Sequence, residues 1–118
     1  MGDRAVIIMA ENGVRHDVAV YLHWNGENAI ELIEAALPRM RHGDASYSTA
    51  RFIGCCHNEI DGNLSLGCFA VSPEENLVDI NPGDAGVIVY DCSTGVITCI
   101  GGYLRDSGGI NIGTPCGG

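Results

Sequence analysis

An α+β domain, with an antiparallel β-sheet and two helices on one face, is the fold this sequence predicts, and three observations lead there. Two apolar runs near the start are joined by Asn12-Gly13, the strongest short-range hairpin signal. From about residue 28 to 56 the apolar spacing becomes helical, and after that it returns to short β-rich runs. With 118 residues, 46% hydrophobic and 18% charged, the chain has the size and composition of one ordinary core. The expected order is ββααβββ, with residues 1–104 as a single domain and 105–118 as a Gly-rich C-terminal tail or ligand/interface loop.

The hairpin pairs Val6 to Met9 with Val14 to His23, and alternation puts Val14, His16, Val18, Val20 and Leu22 on the core-facing side. Asn28, with Glu31 three residues on, is a variant capping box for a helix carrying Ile30, Ile33, Leu37 and Met40. Pro38 lacks an N–H for the Glu34 carbonyl, so the regular helix is expected to stop near Leu37. Gly43 ends this unit, and Asp44 or Ser46 caps a second helix running to about Cys56. After an Asp61-Gly62 turn, Asn63 to Val71 alternates Leu64, Leu66, Cys68 and Ala70 on one side. Residues 72–84 read as a loop in which Leu77 to Ile80 adds a short edge strand. Gly86 to Asp91 and Val96 to Leu104 form a last hairpin through Ser93-Thr94-Gly95. The segment from Arg105 onward holds five glycines and no sustained periodicity.

Six Arg, no Lys and fifteen acids give a net charge of −9, which disfavours neutralising the backbone of DNA or RNA. A small anion remains compatible with one or two placed arginines. The longest apolar runs are far shorter than the roughly 20 residues needed to cross a bilayer. No secretory signal is visible, so a cytoplasmic protein with reduced thiols is expected. The six cysteines contain no C-x-x-C pair and the four histidines are dispersed, so neither a metal site nor a cofactor is expected. Cys55, Cys56 and His57 are the sequence's candidates for a thiol–imidazole pair. The negative end of their helix disfavours a thiolate there, and no catalytic residue is assigned.

His23-Trp24-Asn25-Gly26, at the junction of strand and helix, holds the only tryptophan and is the first candidate for a ligand site. Trp24 offers a stacking face, Asn25 a donor and an acceptor to a base edge, and the helix start at Gly26 offers unpaired N–H groups to phosphate. The alternative is structural: Trp24 closes the core and Asn25-Gly26 turns the chain. Tyr47 and Arg51 are one helical turn apart, with Arg51 placed to meet phosphate or a neighbouring acid. Arg105, beside the Gly-rich segment, is the third element of the expected site.

The segments Val20-Tyr21-Leu22-His23-Trp24-Asn25-Gly26, Ala45-Ser46-Tyr47-Ser48-Thr49-Ala50-Arg51, Gly62-Asn63-Leu64-Ser65-Leu66-Gly67 and Asp84-Ala85-Gly86-Val87 together resemble a group of small uncharacterised proteins from phages and prophages. The resemblance spans roughly residues 5 to 100 and brings no catalytic residues. It implies a protein in the cytoplasm of an infected bacterial host. It further implies an anti-defence sponge, commonly a homo-oligomer, that sequesters a cyclic nucleotide or cyclic ADP-ribose immune signal without cleaving it. On this reading Trp24 stacks on the base, Asn25 reads its edge and Arg51 neutralises phosphate, so Trp24→Ala is expected to abolish binding. Two other classes stay open: an acidic protein-binding inhibitor of a host enzyme, and a small hydrolase of nucleotide messengers.

Overall fold

The computed structural model describes residues 3–59 and 66–116. Five strands, β1 (Ala5–Glu11), β2 (Val14–Leu22), β3 (Leu66–Ala70), β4 (Gly86–Asp91) and β5 (Ile97–Ile100), form one sheet in the order β3-β2-β1-β4-β5. Helices α1 (Ala29–Ala36) and α2 (Ala45–Glu59) lie between β2 and β3 in the chain. The α+β class and the order ββααβββ are therefore as expected. The sheet departs from a wholly antiparallel one at a single place, because β1 runs parallel to β4, in register from Ala5 opposite Gly86 to Ala10 opposite Asp91.

That parallel pair sits at the centre of the sheet, and β1 is covered on both sides. Ile7 and Met9 pack with Val20, Leu22, Ile33, Met40, Phe52, Ile88 and Tyr90 in the core shared with both helices. Val6 and Ile8 pack on the opposite face with Ala19, Val71 and Val87. Burial from both sides is why Ala5 to Ala10 is an unbroken apolar run rather than an alternating one. The second face is roofed in part by Leu77 and Ile80, which belong to a 3-10 turn (Leu77–Ile80) and not to the edge strand expected there. Asn76 explains the difference: its side chain accepts from the N–H of Val78 and so starts a turn.

Asp44 caps α2 by accepting from the N–H of Tyr47 at 3.0 Å, as expected. Asn28 makes no side-chain cap for α1; a short 3-10 turn (Gly26–Asn28) leads into that helix instead. α1 stops at Ala36, one residue before the expected end. Of the expected third strand, residues 63–65 and the preceding Asp61-Gly62 turn lie outside the described residues, and Leu66–Ala70 is strand. The last strand ends at Ile100 rather than at Leu104.

The first hairpin is not regular. Ile8 faces Ala19, but Ala10 faces Arg15, so one residue of β1 opposes three of β2. This bulge interrupts the expected alternation. Val20 and Leu22 reach the helix-side core, whereas Val14 is 62% exposed. In an unbulged register Asp17 would stand opposite Ala10; the bulge puts Arg15 there.

The segment after Leu104 is tied down along its length. Gly109 donates to the Ile97 carbonyl, Ile97 to that of Ile110, Ile112 to that of Gly95 and Cys116 to that of Leu37. The Tyr90 hydroxyl donates to the Gly113 carbonyl at 2.6 Å.

Candidate functional site

The residues singled out by sequence fall into two groups at opposite ends of β1. Trp24, Asn25 and Gly26 stand beside Asp3, just ahead of that strand, because Gly26 donates to the Asp3 carbonyl. Tyr47 stands at the start of α2, which is fixed to the far end of β1 by a bond from Ala45 N–H to Glu11 Oε1. Seven residues of extended chain, about 20 Å, separate the two ends.

At the first end, Trp24 is exposed and its ring makes a T-shaped contact with His23, whose Nδ1 lies 3.0 Å from the Tyr21 hydroxyl. Asn25 adopts φ 66°, and Gly26 is so close to the preceding backbone that a Cβ there would lie 2.6 Å from the Asp3 carbonyl oxygen. These features belong to a tight turn. The N–H groups that the sequence offered to a phosphate are already engaged. Gly26 bonds the Asp3 carbonyl, Glu27 the Asp3 carboxylate at 3.0 Å, and Asn28 the Asn25 carbonyl. The same carboxylate accepts from the Tyr103 hydroxyl. Asp3 is thus the chain's own anion at that helix start. Arg105, two residues beyond Tyr103, donates to the Gly102 carbonyl at 2.9 Å.

At the other end, Tyr47 and Arg51 share one stripe of α2, and among the described residues Arg51 meets the Tyr47 ring rather than a neighbouring acid. The Arg51 guanidinium carbon lies 4.9 Å from the ring centroid of Tyr47, and that of Arg41 lies 4.0 Å from the same ring. Arg51 is exposed on the helix surface.

A concavity forms elsewhere, on the second face of the sheet. Ala10, Arg15, Leu77, Val89, Asp91, Thr94, Val96, Thr98 and Ile100 are among the residues around a depression of about 380 Å³. That volume lies within the range of small-molecule sites. Pairing fixes its floor: Ala10 is opposite Arg15 on β2 and Asp91 on β4, and Val89 is opposite Thr98 on β5. A second depression, about 560 Å³, lies across the sheet edge and is lined by Glu11, Asn12, Val14, Arg15, His16, Asp17, Ala45 and Pro73. Neither contains any of the six residues expected from the sequence.

Arg15 borders both depressions. Its Nη2 donates to the Glu75 carbonyl at 2.7 Å, and its Nη1 is buried with no hydrogen-bond partner. Among the described residues no carboxylate lies within 4.0 Å of it, although the chain has fifteen acids for six arginines. The acid lining the second-face depression, Asp91, is committed to the hairpins: one oxygen accepts from Gly13 N–H and the other from Ser93 N–H, each at 2.8 Å. A half-buried guanidinium with an unused donor and no counter-charge is costly unless an acceptor completes it. Sequence reasoning missed Arg15, although an arginine inside an expected strand was the signal available.

The thiol candidates are placed for packing. Cys55 and Cys56 are both buried in the helix-side core. Burial, with a smaller contribution from Cys55, pushes the Cys56 thiol up to about 12, which keeps it protonated at neutral pH. Burial likewise raises Cys92, whose thiol donates to the Ala10 carbonyl. No disulfide and no cluster of three metal-ligating side chains occurs among the described residues. No helix of the described chain is long and apolar enough to cross a membrane. Compared with protein-family models, with curated proteins and with solved structures, the chain has no match in any of the three.

Proposed function

We propose that this protein binds, without cleaving it, a small anionic molecule that also carries an apolar or planar part, in the second-face depression with Arg15 as the counter-charge. The observation that carries the reading is the guanidinium of Arg15, half-buried beside an apolar concavity and unpaired by any described carboxylate. Leu77, Val89, Val96 and Ile100 supply apolar walls and Thr94 and Thr98 hydroxyls. The larger depression suits an anion less, because Glu11 and Asp17 line it. Nucleotide messengers have the required chemistry. Sequestration of a cyclic nucleotide or cyclic ADP-ribose signal, in the manner of a phage anti-defence protein, is accordingly the specific form of this function.

The test is to incubate the protein with a panel of cyclic di- and trinucleotides and cyclic ADP-ribose isomers, filter it, heat the retained fraction and identify what is released. Intact ligand is expected from the wild type. Arg15→Gln is expected to weaken binding about tenfold or more, the loss of one charge-assisted contact, while Trp24→Ala leaves it unchanged. Full retention by Arg15→Gln, or loss only in Trp24→Ala, overturns the assignment of the site. New products in the filtrate support a hydrolase instead.

A second reading, an acidic surface that docks on a host enzyme, draws on Glu27, Glu31 and Glu34, which are exposed at the start of α1. It predicts that every ligand of the panel passes the filter.

A further inference from the structure

The two outer edges of the sheet are finished differently. β5 is covered by the chain's own continuation, since Ile97 exchanges backbone bonds with Gly109 and Ile110, and Val96 bridges Asn111. β3 has no such cover among the described residues. Its sequence, Leu66-Gly67-Cys68-Phe69-Ala70, contains no charge, no proline and no bulge, the devices by which edge strands usually avoid pairing. Gly67, Cys68 and Ala70 are exposed.

The phase of the open hydrogen bonds follows from one contact. Val71 N–H donates to the Asp17 carbonyl opposite it, so Phe69 and Gly67, two and four residues back, also turn their backbone groups toward β2. Leu66, Cys68 and Ala70 turn theirs outward. This row is symmetric about Cys68, which makes it self-complementary under a two-fold axis.

We infer that β3 pairs antiparallel with β3 of a second copy of this chain, centred on Cys68, so that two five-stranded sheets become continuous. Cys68 then exchanges backbone bonds with Cys68 of the second copy, and Leu66 with Ala70. The strand brings no carboxylate into the contact, which lets a chain of net charge −9 associate there. The paired Cys68 Cα atoms would be about 5.5 Å apart, within the span of a disulfide.

Light scattering or sedimentation equilibrium is expected to find a species of twice the 12.4 kDa chain mass. Cys68→Pro removes an outward N–H that no described bond uses, and is expected to raise the dissociation constant tenfold or more while leaving the fold intact. Cys68→Lys sets two like charges face to face and gives the same result should the proline variant fail to fold. Diamide, by taking two hydrogens and two electrons from the facing thiols, is expected to link the wild-type dimer through Cys68 and not to link Cys68→Ser. A monomer at every concentration overturns the inference. So does a dimer whose dissociation constant Cys68→Lys leaves unchanged.

Discussion

Asp84 and Arg4 illustrate how much of this molecule is held by single side chains at the ends of strands. The Arg4 backbone N–H and Nε both reach Asp84 Oδ2, at 3.0 and 2.8 Å, which ties the entry of β1 to the turn before β4. The hydrogen bond from the Arg4 side chain, then that from its backbone, holds the Asp84 carboxyl below its usual range. A depressed folded value means that the native state binds fewer protons in the acid range. The stabilisation is present above the ordinary carboxylate pKa and is lost as pH falls through the folded value. Asp84→Asn is therefore expected to lower Tm at neutral pH and to differ less from wild type as the solution is acidified; a pH-independent difference would contradict the ion pair's role. At this scale the sequence was partly legible. Asp44 acts as the cap its position indicates, and Tyr47 meets Arg51 at the spacing that helical geometry requires. Asp3 was not legible as the anion at the Gly26 helix start, because a contact between residues separated by a whole hairpin has no local signature.

The elements show where pattern reading works and where it is misled. Strict alternation in β2 puts Val20 and Leu22 on the core face and Arg15 on the other, and the structure agrees, but the bulge between Ile8 and Ala10 shifts the register by two residues and sets Arg15, not Asp17, opposite Ala10. A bulge is a property of two strands together, so neither strand's sequence announces it. The unbroken apolar run of β1 fits a central strand buried on both faces with a parallel neighbour, a sign that the expectation of an antiparallel sheet passed over. Gly86, at the start of β4, has φ 103°, and a Cβ would fall 2.4 Å from the Gly101 carbonyl oxygen. Gly86→Ala is expected to cost about 3 kcal/mol or more, measured by denaturant unfolding, through backbone strain and this overlap. A loss under about 1 kcal/mol would mean that the 101–104 segment moves aside freely. Tyr90→Phe removes the hydroxyl bond to Gly113 and is expected to cost about 1 kcal/mol. Hydrogen exchange should rise selectively at Ile112 and Cys116; uniform protection would separate the C-terminal segment from Tyr90.

For the whole molecule, one central strand divides two unequal faces. The helix side is filled by large apolar groups, among them Phe52, Ile33, Met40 and Tyr90, all fully buried. Among the described residues the second side is roofed in part, by Leu77 and Ile80 of the 72–84 loop and by Val71, and the depression beside Arg15 lies on the same side. This asymmetry was hidden from the sequence because the loop 72–84 roofs the face without regular periodicity. The balance of charges was plain in the composition, but the location of an unpaired arginine within an acidic chain depends on the bulge and on the loop that Glu75 anchors. The most direct test of an anion site there is a backbone-amide NMR titration with the cyclic nucleotide panel, at physiological salt. Shifts concentrated at Ala10, Arg15, Val89, Thr98 and Ile100 are expected. Shifts centred on Trp24 and Asn25, or no shift with any member of the panel, would rule out the Arg15 site.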